Sequence, residues 1–161
     1  MFATIRSRTG LTLAASLLVF CATGCTGLDA HAAGGSADDR EAVRRVALDY
    51  VEALYDAEPD RIRRSVHPDL KKYGFYRPAD DDVYRGSAMT FAQLVELAGS
   101  WNRDGSKTTA DSPKQVEVLD VLDQTAAAKV TAEWGVDYMQ LARFDGEWKI
   151  LHIVWQSHPG L

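Results

Sequence analysis

Residues 115–156 constrain this chain more than any other stretch. Residues 115–122 and 126–134 read as two strands joined by a turn at Asp123-Gln124-Thr125. Residues 136–144 form a third strand, or continue the second past a bend at Gly135, because glycine inside a strand pattern marks a bulge or bend. Asp145-Gly146 is a strong hairpin signal, and residues 147–156 supply the last strand. There Trp148, Ile150, His152 and Val154 alternate with Lys149, Leu151, Ile153 and Trp155. Both faces are largely apolar. One is expected to pack on the rest of the domain. The other is expected to meet a partner subunit, since it would otherwise leave a large exposed patch.

The cover for that meander comes from upstream. Val43, Val46, Ala47, Tyr50, Val51, Leu54 and Tyr55 recur at helical spacing and form one apolar face. Asp38 or Asp39 can cap this helix. A second helix starts around Pro59, buries Ile62 and Val66, and is expected to end at His67-Pro68, because the residue before proline disfavours the helical region. Residues 70–77 read as extended. Residues 78–87 read as an acidic loop with a brief strand at Tyr84 and Arg85. Thr90 and Gln93 have the spacing of a capping box, opening a third helix that carries Phe91, Leu94, Val95, Ala98 and Trp101. The order is α-α-β-β-α-β-β-β, which points to an α+β fold.

Residues 1–24 have a composition of their own. Arg6 and Arg8 precede an uncharged apolar run from Leu11 to Phe20, and the small residues Ala22, Thr23 and Gly24 follow. This is the three-part pattern of an export signal, and the run is too short to span a bilayer, which takes roughly 20 residues. Cys25 after Ala22-Thr23-Gly24 resembles a lipobox, although Ala22 stands where such boxes carry leucine. The alternative is an ordinary signal cut at Ala30-His31-Ala32. The expected organisation is a signal at 1–24, a flexible tether at 25–38 with lipidation at Cys25, and one domain at 39–161. The expected location is the cell envelope by a lipid anchor, otherwise periplasmic or secreted. Cys21 and Cys25 are the two cysteines, so a domain cut before Cys25 folds without thiol chemistry or disulfides.

The formal net charge of −5 and the lack of a basic stripe argue against nucleic acid, whose phosphates demand clustered Lys and Arg. The cluster Arg61, Arg63, Arg64, Lys71 and Lys72 is interleaved with acids and reads as a solvated face. There is no metal-ligand spacing motif, Gly-rich phosphate loop or G-x-S-x-G elbow. Neither metal nor cofactor is expected.

The segments YVEALY at 50–55, IRRSVHPDL at 62–70 and DYMQLARFDGEWKI at 137–150 resemble the NTF2-like, or SnoaL-like, superfamily. Within it they are most similar to the lumazine-binding-like group. The resemblance covers residues 39–158. It implies a curved antiparallel sheet wrapped around a long helix, a cavity at the wide end, and dimerisation through the outer sheet face. In enzymatic relatives the cavity carries an acidic or histidine base. The fold alone does not fix the function.

Proton-transfer chemistry needs a carboxylate or histidine in an apolar pocket with its pKa moved toward working pH. The candidates are Asp137, His67 and His152. Asp137 beside Tyr138 can pair a base with a hydroxyl donor; the simpler reading is a rim carboxylate on an alternating strand. His67 can be a helix-end residue bonding the last carbonyls. His152 can line the cavity or sit hydrogen-bonded in the core. Tyr50, Tyr55, Tyr73, Tyr76, Trp101, Trp134 and Tyr138 are the candidate walls of a pocket for an apolar or aromatic small molecule. The expected function is a non-catalytic binding or accessory protein. The alternatives are an isomerase, dehydratase or cyclase using a cavity Asp or His, or a homodimeric interaction module without ligand.

Overall fold

The computed structural model describes residues 35–78 and 81–159; the expected export signal, the lipidation expected at Cys25 and most of the expected tether lie outside the described residues. Helix α1 (Ala37–Tyr55) is set by its apolar face, which buries Val43, Ala47, Tyr50, Val51 and Leu54. Its cap is Ser36, whose Oγ accepts from the Asp39 amide at 3.0 Å. Asp38 and Asp39 are not the caps. They occupy the first turn, where negative charge suits the positive end of the helix dipole.

Helix α2 (Pro59–Ser65) starts on its proline and stops two residues before His67-Pro68. Strand β1 (Val66–Tyr76) follows at once. His67 and Pro68 are therefore strand residues, not the end of α2. Pro68 is tolerated because the β1 register against the last strand shifts between Val66 and Lys71, so no ladder donor is required there. Strand β2 (Arg85–Met89) pairs with β1. Helix α3 (Phe91–Ala98) opens on a complete capping box: Gln93 N donates to Thr90 Oγ1 at 3.3 Å, and Thr90 N donates to Gln93 Oε1 at 2.8 Å.

Strands β3 (Lys114–Val121), β4 (Thr125–Ala132), β5 (Gly135–Phe144) and β6 (Glu147–Gln156) form the meander. Four strands follow α3, because residues 136–144 turn back as a strand of their own. Gly135 makes that reversal with φ 145°, and a Cβ there would stand 2.0 Å from the Gln156 carbonyl oxygen. Asp145 and Gly146 turn the last hairpin with φ 50° and 85°, the type I′ pattern. The sheet order is β2-β1-β6-β5-β4-β3. It is mixed, since β1 runs parallel to β6 and every other pair is antiparallel.

One irregularity decides what faces inward. Gln140 pairs with His152 and Leu141 with Ile150, leaving Leu151 as an extra residue in β6. A bulge of one residue reverses the side-chain alternation beyond it. Trp148 and Ile150 point into the core before it, and Ile153 after it. The helices cover this inner face, with Val43, Val51, Ile62, Leu94 and Ile150 fully buried. Each such side chain contributes on the order of 1.5–3 kcal/mol.

Candidate functional site

Inward-pointing positions on three elements meet at one buried polar cluster. Tyr50 comes from α1, Lys72 from β1 and Asp137 from β5. Tyr50 and Asp137 are fully buried and Lys72 is 7% exposed. Lys72 departs from the solvated face that its basic neighbours form. The strand alternation places it otherwise, in phase with Leu70 and Gly74 and against the core.

The cluster is a closed set of hydrogen bonds. Lys72 Nζ donates to the Tyr50 hydroxyl at 2.5 Å and to Asp137 Oδ1 at 3.3 Å. The Tyr50 hydroxyl donates to Asp137 Oδ1 at 3.2 Å. Trp134 Nε1 donates to Asp137 Oδ2 at 2.6 Å. Asp137 is thus a buried acceptor of three donors, not a rim carboxylate. Burial removes water from the Lys72 amine and pulls its pKa below 10.5, with the Asp137 charge opposing part of that fall. The same burial, reinforced by Asp137, pushes the Tyr50 phenol well above 10.

Aromatic side chains enclose the cluster. Lys72 Nζ lies 5.0 Å from the Tyr50 ring centroid and 5.5 Å from that of Trp155, within cation–π range. Trp134 meets Tyr50, Tyr55 and Trp101 edge-on at 6.0, 5.8 and 5.4 Å. These walls leave a cavity of about 90 Å³, bounded by Tyr50, Leu54, Lys72, Met89, Leu97 and the Trp101–Trp134–Trp155 set. That is space for about three waters at liquid density, or for a small organic molecule. Trp155 lies against Gly74, where a Cβ would stand 1.9 Å from its indole nitrogen. Only a glycine lets that ring close the cavity.

The remaining candidates lie elsewhere. Tyr55 stacks behind Trp101 and is committed to structure: its hydroxyl donates to the Pro113 carbonyl at 2.6 Å and accepts from the Glu133 amide at 2.8 Å. His152 is exposed on the outer face, 3.0 Å from Gln140 Oε1, because the Leu151 bulge turns it out of the register of Trp148 and Ile150. It neither lines the inner cavity nor belongs to the core. His67 stacks on Phe144 at 4.1 Å and accepts from the Asp69 amide at 3.1 Å. It bonds no helix-end carbonyl. Tyr73 and Tyr138 flank Val154 in one row across β1, β6 and β5 on the outer face, and Tyr76 is exposed at the end of β1. The outer row borders an open groove of about 740 Å³ that also takes in His152 and Leu119. Of the named candidates, Tyr50, Trp101, Trp134 and Asp137 come together. Lys72 and Trp155 were missed.

What the arrangement can do follows from its groups. Lys72 can exist as amine or ammonium, Asp137 can accept a proton, and Tyr50 connects the two. Lys72 and Tyr50 lie beside an apolar space, with Asp137 buried behind them, where their interactions are little screened.

Comparison with known proteins agrees with the fold. The chain is 13% identical to an NTF-2 like protein of unknown function from Silicibacter pomeroyi DSS-3, with TM-score 0.60 over 77% of this chain and 99% of that one. It is 20% identical to an NTF2-like protein of unknown function from Methylobacillus flagellatus KT, with TM-score 0.57 over 79% and 98%. Among curated proteins it is 24% identical over 130 residues to "Aldolase FrzH" of Cladobotryum sp, spanning 77% of this chain and 95% of that protein. The family model described as "Putative lumazine-binding" matches residues 38–156. It shares its fold with the NTF2-like structures, and by the family match the chain belongs to the putative lumazine-binding family.

Proposed function

We propose that the chain is an enzyme of proton transfer on a small carbonyl compound, of isomerase, dehydratase or aldol type, with its own side chains as acid and base. The observation that carries this is the Lys72–Tyr50–Asp137 cluster, whose Lys72 and Tyr50 line the inner cavity while Asp137 is bonded behind them. A buried ion pair is a weak source of stability, and an apolar replacement of similar volume is often neutral or stabilising. Titratable groups perturbed by burial and a specific partner beside a cavity are functional candidates. The likeness to a protein called an aldolase supports carbonyl chemistry over other choices. A bicyclic lumazine ring outsizes a cavity of about 90 Å³, so the family's label is not carried over as the ligand.

The test is deuterium exchange at the carbon next to the carbonyl in hydroxyacetone, propanal and 2-butanone, followed by proton NMR. The protein should accelerate exchange in at least one of them. Asp137→Asn should lower the rate roughly a hundredfold, and Tyr50→Phe should lower it less. Exchange at the buffer rate for all three would contradict the reading. The second reading, a non-catalytic binding or accessory protein, is favoured by the small volume of the cavity. It predicts a bound carbonyl compound with no exchange.

In the same reading the chain is exported and held at the envelope by a lipid on Cys25, supported by Arg6, Arg8 and the apolar run before it. Cys25→Ser should move the protein from the membrane fraction to the soluble one; unchanged partitioning would contradict the anchor. The outer row of Tyr73, Val154 and Tyr138, exposed by 43%, 53% and 55%, is the surface for a second copy of the chain, because an apolar row of this kind marks an interaction surface.

A further inference from the structure

We propose that Lys72 is a covalent nucleophile whose Nζ forms an imine with the carbonyl carbon of a small aldehyde or ketone held in the inner cavity. This rests on the carbonyl reading of that cavity and goes beyond acid–base chemistry. Three observations on different elements support it.

The first is placement. Lys72 Nζ stands at the wall of the cavity with its side chain 5% exposed. The other lysines, Lys71, Lys107, Lys114, Lys129 and Lys149, are exposed or half-buried. Burial lowers the Lys72 pKa, and each unit of lowering gives about tenfold more neutral amine at neutral pH. Desolvation in an apolar pocket is a known route to a nucleophilic lysine.

The second is a proton path. Imine formation requires the nitrogen to shed protons and the carbonyl oxygen to gain them. The Tyr50 hydroxyl accepts from Lys72 Nζ and donates to Asp137 Oδ1. In the step, the Nζ lone pair forms the C–N bond while the carbonyl π electrons move to oxygen. The oxygen takes up two protons and leaves as water. Net, lysine ammonium and a carbonyl compound become a protonated imine and water, and nothing is oxidised or reduced. The protonated imine then draws electrons from the adjacent C–H bond, whose proton passes to the Tyr50 hydroxyl at the cavity wall as that hydroxyl gives its own proton to Asp137.

The third is charge. The positive nitrogen of the imine replaces the ammonium in the same place. Asp137 Oδ1 and the rings of Tyr50 and Trp155 stabilise it as they do the ammonium. The Trp134 indole holds the other carboxylate oxygen toward the cluster.

The experiment is borohydride trapping on the full chain at pH 7 with hydroxyacetone, propanal and 2-butanone as separate probes. Reduction of the imine adds the mass of the carbonyl compound less one oxygen atom. The dominant adduct is expected at Lys72, exceeding the adduct at each other lysine severalfold. Lys72→Arg should abolish it with the circular dichroism unchanged. Should that variant fail to fold, the wild-type peptide map still decides, since it compares six lysines in one molecule. An even spread over the lysines would overturn the proposal. So would exchange catalysis without any Lys72 adduct, which leaves acid–base chemistry standing. Absence of both exchange and adduct overturns the proposal together with the function it rests on.

Discussion

Asp137 satisfies three buried donors with one carboxylate, so its removal leaves more than a missing contact. Asp137→Asn strands the Lys72 charge in the core and should cost about 3–5 kcal/mol, as one-sided breaking of a buried pair does. The double variant Lys72→Met with Asp137→Asn should recover part of that loss. Urea denaturation checks both. The same residues set a pH dependence. Folded Lys72 has a pKa below its ordinary 10.5, so between the two values the unfolded chain binds the proton that the folded chain has shed. Stability rises with pH through that window. Tyr50 acts oppositely, since its folded pKa is raised and the unfolded phenol ionises first above about 10. Lys72→Met should therefore flatten the rise below pH 10 and leave the fall above it, measured by denaturation across pH 7–11. Asp137 was legible as a candidate because an acid in an apolar strand is unusual. Lys72 was hidden by its neighbour Lys71 and by Arg61, Arg63 and Arg64. The signal that places it is the phase it shares with Leu70 and Gly74.

Local signals located most elements, and long-range pairing decided the rest. The capping box of α3 was legible from Thr90 and Gln93 alone and is present in full. Thr90→Ala should lower stability by about 1 kcal/mol, measured as a shift in the denaturation midpoint with unchanged slope. The Asp145-Gly146 turn and the bounds of β6 were legible for the same reason. The start of β1 was not. His67-Pro68 reads as a helix stop, but the stop falls at Ser65, and the chain enters the sheet before the proline because the ladder there has a gap. His152 shows the same limit. Strict alternation put it with Trp148 and Ile150, and the extra residue Leu151 turned it outward. A bulge belongs to a pair of strands, so one strand's sequence does not contain it.

Two concavities among the described residues differ in character. The inner one is small and borders a charged cluster; the outer one is broad and apolar, across Tyr73, Val154 and Tyr138. Fold class and family were legible because the order of helices and strands spans nearly the whole domain. Which concavity carries the chemistry was not, since the aromatic candidates were divided between the two. If the outer face packs on a second copy, Tyr138→Glu should convert a dimer to a monomer by light scattering. An unchanged mass would contradict that surface. The Trp134 indole N–H reports on the inner cavity directly, because it is bonded to Asp137. Titrating hydroxyacetone into nitrogen-15-labelled protein should shift that resonance to saturation while the resonance of Leu119, in the outer groove, stays in place. Saturable shifts confined to the outer row, with Trp134 unmoved, would contradict the assignment of function to the inner cavity.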